Sequence, residues 1–377
     1  MNFIEKIKKK TFLFNFDFFT EKKVLIYCLR NHYYNFRFIE KKFNNQVFFL
    51  FRNEYNFFIY LAAFLRIFFP QEKNLFSRYL LIYLKLKRIK VIVSDHDNDI
   101  QLYLIKKKLK SVKVILIQNG TRASYGDIFW KIKKNKDYKV DDFIVLNEDI
   151  KNKYKNYVNA KYHIFGSCRL NTFLMHQKRK PKIQKNTIVY ISQYREALEK
   201  QKILPDNQIV RFLNNFCEKK KINFRINLKY KSNTANFFKE KNHFKKIIAC
   251  DDNKFFFNKN SLESYRNVLR SNLIITCDST MGYETLSLKR KTFFISIRGG
   301  KYRTGCQFGW PGSYKKEGFF WSKFLVEKKI ERKLDTLINC NKFEWFKKIK
   351  KYKKNIAFQD YNFSTKINMM IRKYLKN

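Results

Sequence analysis

The sequence predicts an α/β protein built from two doubly wound parallel-sheet domains that face a cleft. Short, unbroken apolar runs alternate with helical patterns along almost the whole chain. The alternation stops at a polar, basic stretch over 175–185 and restarts after it, and 377 residues are enough for two separate cores. With 45% apolar and 18% aromatic residues, the composition excludes a disordered chain.

The first half, 1–180, contains runs of Val, Ile, Leu and Phe that are typical of strands buried on both faces. Such strands belong to a parallel sheet covered by helices, and right-handed βαβ units make this half Rossmann-like. The predicted strands are 24–29, 47–51, 91–94, 114–117, 143–146 and 162–165. The predicted helices lie near 57–69, 74–87, 98–109 and 148–157.

The second half, 181–340, repeats the same pattern and predicts a second Rossmann-like domain. Its predicted strands are 187–191, 223–228, 254–257, 272–277 and 292–297, and its helices lie near 206–219, 232–241, 261–270 and 280–289. The tail, 341–377, is basic and predicts one or two further helices.

The chain is strongly basic, with 81 Lys and Arg against 31 Asp and Glu, a net charge of +50. Three interpretations remain open: mutational drift towards residues with AT-rich codons, attraction to anionic lipid head groups, and nucleic-acid binding. The lysines are spread over the whole chain, and no nucleic-acid-binding module with a recognisable spacing occurs. We therefore predict no nucleic-acid partner and a peripheral contact with an anionic membrane.

Cysteine usage and the apolar runs predict a cytoplasmic protein, attached peripherally to the inner face of the membrane. The seven cysteines form no Cys-x-x-Cys pair and are odd in number, which indicates a reducing compartment. The N-terminal apolar stretch is broken by Asn15 and Asp17, so it makes a poor signal peptide. The run over 57–69 is too short to span a bilayer and predicts a buried helix, with a membrane-surface helix as the alternative.

The segment over 272–298 has the strongest chemical signal, because polar residues follow a buried strand where a helix begins. A helix start offers free N–H groups and a positive dipole end, and hydroxyls add donors for a phosphate. Gly282 would allow a ligand close to the backbone, and Glu284, as an exposed carboxylate, would accept from ribose hydroxyls. The alternative is an ordinary capped helix. The candidate residues are Asp278, Ser279, Thr280, Gly282 and Glu284.

A second polar segment follows the strand over 114–117. Gln118, Asn119 and Gly120 predict a tight turn from strand to helix, and Arg122 would hold a carboxylate or phosphate with two hydrogen bonds. The alternative interpretation is a plain Asn-Gly turn.

A third segment, VIVSDHDND over 91–99, places acidic residues and a histidine after a buried strand. Asp95 or His96 would serve as a general base for an acceptor hydroxyl. The alternatives are a helix cap supplied by Asp97 or Asn98, or a hard-cation site. We predict no metal and no cofactor.

Smaller signals lie at other strand ends, where solvated surface residues are the alternative. Ser192 and Arg195 follow the first strand of the second half, and Ser167 and Arg169 follow the last strand of the first half. The stretch from Arg298 to residue 321 is rich in Gly and aromatic residues and predicts a long loop, acting as a lid or a wall for sugar stacking.

The ordered set of these motifs resembles a family of bacterial surface-carbohydrate (O-antigen) biosynthesis proteins with a GT-B-like fold. The resemblance covers roughly residues 88–325 and rests on Ser94-Asp95, QNGTR over 118–122, IFGSCR over 164–169, ISQYR over 191–195, DSTMGYE over 278–284, Phe308-Gly309, and GFFW over 318–321. It implies that the tail helices, 341–377, cross back to the first domain.

The resemblance implies a glycosyltransferase that moves a sugar from a nucleotide-activated donor to a glycan or lipid-linked acceptor. The donor would bind at 278–284, Arg195 and Arg298 would neutralise the leaving nucleotide, and the acceptor would enter near Asp95 and 118–122. Related glycerophosphotransferases carry His-Gly where this chain has Asn119-Gly120, and Asn cannot act as a base. The rivals are a nucleotide-sugar epimerase, a glycerophosphotransferase-like enzyme, and a catalytically inactive scaffold of the same pathway.

Overall fold

The computed structural model contains two six-stranded parallel sheets with helices on their faces, which confirms the predicted fold class. It describes residues 13–15, 21–52, 54–122, 137–177, 179, 181–196, 199, 204–297, 307–312, 314, 317–356 and 359–376.

The first sheet has the strand order β3-β2-β5-β6-β7-β8, and every neighbouring pair is parallel. Its strands are β2 (Val24–Cys28), β3 (Val47–Phe51), β5 (Val91–Ser94), β6 (Lys113–Ile117), β7 (Lys139–Val145) and β8 (Asn159–Ile164). A separate short pair joins β1 (Leu13–Asn15) to β4 (Glu54–Asn56). The helices are α1 (Arg37–Phe43), α2 (Phe57–Phe64), α3 (Leu75–Leu86), α4 (Ile100–Lys108), α5 (Glu148–Tyr154) and α6 (Cys168–His176).

The second sheet has the order β11-β10-β9-β12-β13-β14 and is also parallel. Its strands are β9 (Gln184–Ile191), β10 (Asn223–Asn227), β11 (Phe255–Phe256), β12 (Ser271–Thr276), β13 (Thr292–Ile295) and β14 (Trp321–Ser322). The helices that follow β9 are α7 (Asp206–Lys219), α8 (Ala235–Ile248), α9 (Ser261–Arg270), α10 (Thr280–Ser287), α11 (Glu327–Asn339), α12 (Lys342–Lys350) and α13 (Phe363–Lys376).

The apolar strand residues explain both sheets, because they are buried on both faces as the sequence pattern requires. All five residues of β2 are buried, and so are all four of β5. Most helices begin at a side chain that caps them, as Asn74 does for α3. Asp99 caps α4, so the capping role proposed for Asp97 or Asn98 belongs to the next acidic residue along the chain.

The C-terminal helices pack on different halves. Trp345 and Ile349 of α12 are part of the core of the second half. Phe363, Ile367 and Ile371 of α13 instead pack among the strand residues of the first sheet. The chain therefore crosses between the halves after α12, and of the two helices described in the tail it is α13 that contributes to the first core.

Two expectations about apolar segments are wrong. The run over 57–69 is not a buried helix: α2 ends at Phe64, and most of the large side chains over 57–68 are exposed. For three aromatic residues of the predicted lid the stacking wall is wrong, because Phe308, Phe320 and Trp321 are buried in the core of the second half. Residues 298–306 of this stretch lie outside the described residues. No helix among the described residues is long and apolar enough to cross a membrane.

Candidate functional site

The carboxyl ends of the central strands of both sheets meet at the junction of the two halves. The Thr121 backbone N–H, after β6, donates to Thr280 Oγ1 at the start of α10, over 2.8 Å. The contact is close enough that a Cβ atom on Gly120 would lie 2.8 Å from the same Thr280 oxygen. A side chain at position 120 would have to displace the Thr280 hydroxyl, so glycine allows the turn after β6 to approach the second half.

Glu284, on α10, is buried at this junction, which corrects the expectation of an exposed carboxylate. Ser167 Oγ donates to one of its oxygens, and Tyr265 OH donates to the other. Burial raises the pKa of this carboxyl group, while the two hydrogen bonds and the charge of Arg169 act in the opposite direction. Ser167 also caps α6, so a single hydroxyl links the last helix of the first half to α10.

Arg122 and Asp97 form a buried ion pair, with Arg122 Nη2 2.6 Å from the Asp97 carboxylate. The Arg122 guanidinium also donates to Asn98 Oδ1 over 2.7 Å, and Tyr154 OH donates to Asp97. The Asn119 backbone N–H donates to the same carboxylate over 3.2 Å. In this arrangement the predicted anion-binding Arg122 holds an acidic residue of its own half, and the pair fixes the turn after β6.

Gln118 reinforces that turn from inside. Its amide donates to the carbonyl of Gly120 over 2.7 Å, and its side-chain oxygen accepts from the Leu146 backbone N–H over 3.0 Å. The side chain is buried and connects the loops after β6 and β7. It therefore shapes the site through the backbone.

His32 is a functional candidate that the sequence analysis missed. Its Nδ1 lies 2.6 Å from Asp95 Oδ2, and its Nε2 lies 3.0 Å from Arg169 Nη2. Arg169 has only donors, so Nε2 accepts and Nδ1 carries the proton that is donated to Asp95. Arg169 Nη2 also donates to Asn119 Oδ1 over 2.6 Å. Asp95, His32, Arg169 and Asn119 thus form one chain of hydrogen bonds at the junction.

His96 differs from its neighbour Asp95. Its ring is buried against Tyr27, with the two ring centres 4.8 Å apart, and its Nε2 has no hydrogen-bond partner among the described residues. Burial lowers the pKa of His96 to about 4. The imidazole is therefore neutral at pH 7 and a weak base, which favours His32 over His96 for proton transfer.

The start of α10 combines a cap with tight packing. Ser279 caps the helix by accepting from the Met281 backbone N–H over 3.3 Å, and the Ser279 N–H donates to Thr276 Oγ1. A Cβ atom on Gly282 would lie 2.5 Å from Thr276 Cγ2, so this glycine lets α10 pack on β12. Its role in the structure is packing against the sheet, whereas the sequence suggested ligand access.

The strand ends on the other side of the second sheet carry a buried carboxylate that no motif indicated. Glu240, on α8, accepts from Ser192 Oγ over 2.5 Å and from the Lys229 and Tyr230 backbone N–H groups. Burial raises its pKa to about 7. The structure therefore ties Ser192 to Glu240, whereas Arg195 is exposed.

Three further observations complete the site. Arg298, predicted to neutralise the leaving nucleotide, lies outside the described residues. No group of three or more His, Cys, Asp or Glu side chains in the described part of the chain is arranged to hold a metal ion. An open groove of about 820 Å³, lined by Leu286 and Ile349, lies at the opposite end of α10 from Thr280.

Solved structures with the same architecture include a wall teichoic acid polymerase and a UDP-GlcNAc 2-epimerase. The wall teichoic acid polymerase TagF matches with a TM-score of 0.55 and 14% identity, over 95% of this chain and 90% of that one. A further structure of TagF was solved after soaking with CDPG. MnaA of S. aureus, solved with UDP, matches with a TM-score of 0.55 and 12% identity, over 95% of this chain and 97% of that one.

The UDP-GlcNAc 2-epimerase of Methanocaldococcus jannaschii, solved with UDP-GlcNAc and UDP, matches with a TM-score of 0.56 and 14% identity, over 93% of this chain and 99% of that one. These likenesses establish the GT-B-like fold. Among curated protein sequences, none matches this chain. A family model described as "putative O-antigen biosynthesis protein" matches residues 115–375, about two thirds of the chain. The chain therefore belongs to this O-antigen biosynthesis family, as its motifs predicted.

Proposed function

We propose that the chain is a glycosyltransferase-like enzyme of surface-polysaccharide biosynthesis. It would transfer a sugar from a nucleotide-activated donor to a glycan or lipid-linked acceptor. One observation carries the proposal: the hydrogen-bonded chain from Asp95 through His32 to Arg169 lies at the same junction as the start of α10. A proton acceptor and an anion-binding helix start are the two groups that such a transfer needs.

On the donor side, the phosphates would bind at the start of α10, at the positive end of the helix dipole. They would replace the contacts that the Ser279 and Thr280 hydroxyls now make with the Met281 and Thr121 backbone N–H groups. Asp278 precedes this cap, and Arg169, whose charge already acts on Glu284, would supply positive charge beside the phosphates. Arg195 and Arg298 would add positive charge around the leaving nucleotide. A ribose hydroxyl would bind Glu284 by replacing the Ser167 hydroxyl, which now donates a hydrogen bond to one oxygen of this carboxylate.

On the acceptor side, His32 would act as the general base and Asp95 would hold its ring in the required tautomer. When Arg169 binds the donor phosphates, its hydrogen bond to His32 Nε2 breaks. Nε2 can then accept the proton of an acceptor hydroxyl. That oxygen then bonds to the sugar carbon, the bond from this carbon to the phosphate oxygen breaks, and the nucleotide leaves with the electron pair. The cation and the helix start stabilise the charge that develops on it.

The test replaces His32 by Gln and measures sugar transfer with saturating donor and acceptor. We expect a fall in turnover of roughly 10²- to 10⁴-fold, the usual contribution of a general base, with donor affinity unchanged. His163 is the matched control, because it also pairs with a carboxylate, at 2.7 Å from Asp142, but on neighbouring strands of the first sheet. His163→Gln should keep full turnover. Full turnover in His32→Gln would remove His32 from the reaction.

The same donor panel separates the rival functions, using UDP-, CDP-, CMP- and GDP-linked compounds with and without a lipid-linked acceptor. Sugar transfer that depends on the acceptor supports the proposal. Inversion of the donor sugar without an acceptor indicates an epimerase, and transfer of glycerol phosphate from CDP-glycerol indicates a glycerophosphotransferase. Nucleotide binding without any turnover indicates an inactive scaffold.

A cytoplasmic location completes the proposal, since nucleotide-activated sugars are the donors it requires. The described cysteines, Cys28, Cys168, Cys217, Cys250, Cys277 and Cys340, are all free, which supports a reducing compartment. A lipid-linked acceptor would bring the enzyme to the inner face of the membrane.

A further inference from the structure

An unusual apolar surface lies on the first half, over α2 and the turn that follows it. Phe58 is 51% exposed, Phe64 is 65% exposed and Ile67 is 60% exposed. Four more large apolar side chains of the same segment are also exposed: Phe57, Leu61, Leu65 and Phe68. Single exposed apolar residues are normal, but seven within twelve consecutive positions indicate a surface that is covered in use. We call residues 57–68 the apolar ridge.

Few side chains of the apolar ridge pack in the hydrophobic core of the first half. Ile59 and Ala63, which lie four positions apart on one face of α2, are its buried residues and anchor the helix to the first half. Tyr60 and Ala62 also pack against the first core as partly buried residues, whereas the seven exposed side chains are not part of it. The ridge is thus anchored by its inner face, while its seven large apolar side chains stay exposed.

The charges around the ridge favour an anionic lipid surface over a protein partner. Between residues 55 and 71, Arg66 is the one charged residue, and it is exposed. Arg52, Lys73 and Lys85 flank the ridge and are also exposed, and the Lys85 ammonium lies 5.9 Å from the ring centre of Phe69. The acidic residues that flank the ridge in the sequence are already paired, Glu54 with Arg30 and Glu72 with Lys108. Exposed apolar side chains flanked by cations match the acyl and phosphate layers of an acidic bilayer.

The length of α2 limits how far the ridge can extend into a bilayer. An eight-residue helix is about 12 Å long, against the roughly 30 Å of a bilayer core. The ridge can therefore lie within one leaflet but cannot span both.

We propose that the apolar ridge inserts into the interface of an anionic membrane and docks the enzyme there. The inference extends the lipid-linked acceptor of the proposed function, but it rests on the exposed side chains alone. It also differs from a diffuse attraction of the many lysines to lipid, because insertion survives salt that screens surface charge.

The test measures vesicle flotation of the full chain with phosphatidylcholine alone and with added phosphatidylglycerol, at about 0.1 M and about 0.5 M salt. The ridge variant is Phe58→Ser, Phe64→Ser and Ile67→Ser combined. The matched control combines Phe238→Ser, Phe343→Ser and Met369→Ser, whose side chains are 50%, 78% and 63% exposed. All six side chains are largely exposed, so both variants should fold, which circular dichroism confirms.

We expect the wild type and the control to bind acidic vesicles and to keep part of this binding at the higher salt. The ridge variant should lose at least tenfold in binding at both salt concentrations. Equal binding of all three proteins overturns the proposal, and so does binding that disappears completely for the wild type at high salt. A wild-type dimer in sedimentation that the ridge variant loses would make the ridge a contact between copies, which also overturns it.

A tryptophan introduced into the ridge gives an independent check. Leu61→Trp places an indole on the exposed face of α2, where brominated acyl chains should quench its fluorescence in acidic vesicles. Unquenched fluorescence with vesicle-bound protein would overturn insertion. Neither assay needs a nucleotide sugar, so failure of the ridge leaves the sugar-transfer test untouched.

Discussion

Carboxylates at the strand ends are held differently in the two halves of the molecule. In the first half, Asp97 pairs with Arg122 and Asp95 pairs with His32. In the second half, Glu284 and Glu240 are surrounded by hydroxyls and backbone N–H groups instead of cations. Burial raises the pKa of both glutamates in the second half. The stability of the first half should therefore depend on these ion pairs, and that of the second half on whether Glu284 and Glu240 are protonated.

The largest effect should come from breaking the ion pair of the first half. Asp97→Asn leaves the buried Arg122 guanidinium without its counter-charge and should lower the free energy of unfolding by about 3–5 kcal/mol. Asp335→Asn is the control, because its partner Lys220 is exposed and the pair should be worth under about 1 kcal/mol. Urea unfolding measures both. A loss under about 1 kcal/mol in Asp97→Asn would mean that the pair does not hold the turn.

The second half should show its effect as a dependence on pH. The Glu240 pKa is raised from 4.5 to about 7 in the folded chain. Because the pKa is higher in the folded chain than in the unfolded chain, protonated Glu240 stabilises the fold below pH 4.5. About 3 kcal/mol of this stabilisation is lost as the pH rises towards 7. Glu240→Gln removes the titration, so the stability of the wild type relative to this variant should fall between pH 4.5 and 7. A difference that stays constant over this range would contradict the account.

Glu284 tests whether its hydroxyl partners matter to the fold. Glu284→Ala leaves the buried Ser167 and Tyr265 hydroxyls without their acceptor, which should cost about 2 kcal/mol of stability. Glu284→Gln keeps an acceptor in place and should cost less than half as much. Thermal and urea unfolding of the two variants provide the measurement. Equal stability of Glu284→Ala and the wild type would show that the carboxylate is not an anchor between the halves.

Most of the fold could be predicted from the sequence, because buried parallel strands are unbroken runs of β-branched and aliphatic residues. The predicted strand 47–51 and the predicted helices 206–219 and 261–270 match the structure residue for residue. Helix α6 was missed because the predicted linker, 175–185, overlaps its end. The two-residue strand β14 is too short to show any period. The exposure of the apolar ridge was also missed, since an apolar run looks the same whether a core or a membrane covers it.

The site was predictable only in part. The motifs at 118–122, 167–169 and 278–284 come together because parallel strands end at a common edge. Their partners were not predictable: Arg122 contacts an aspartate of its own half, and Glu284 is covered by Ser167. His32 lies in a 3-10 turn without a motif, 63 positions before Asp95. The position of His32 was the one available indication, because it follows β2, and β2 pairs with β5, the strand that precedes Asp95.

Nucleotide affinity at the start of α10 tests the central claim most directly. Isothermal titration with UDP, CDP and GDP would compare the wild type, Ser279→Ala combined with Thr280→Val, and Asn260→Ala. Asn260 is the matched control, because it caps the neighbouring helix α9 by accepting from the Glu263 backbone N–H over 3.0 Å. Both variants lose a cap and should lose about 1 kcal/mol of stability. The account predicts that one nucleotide binds the wild type and the Asn260 variant equally and the α10 variant at least fivefold more weakly. Equal affinity in all three proteins would contradict a donor site at this helix.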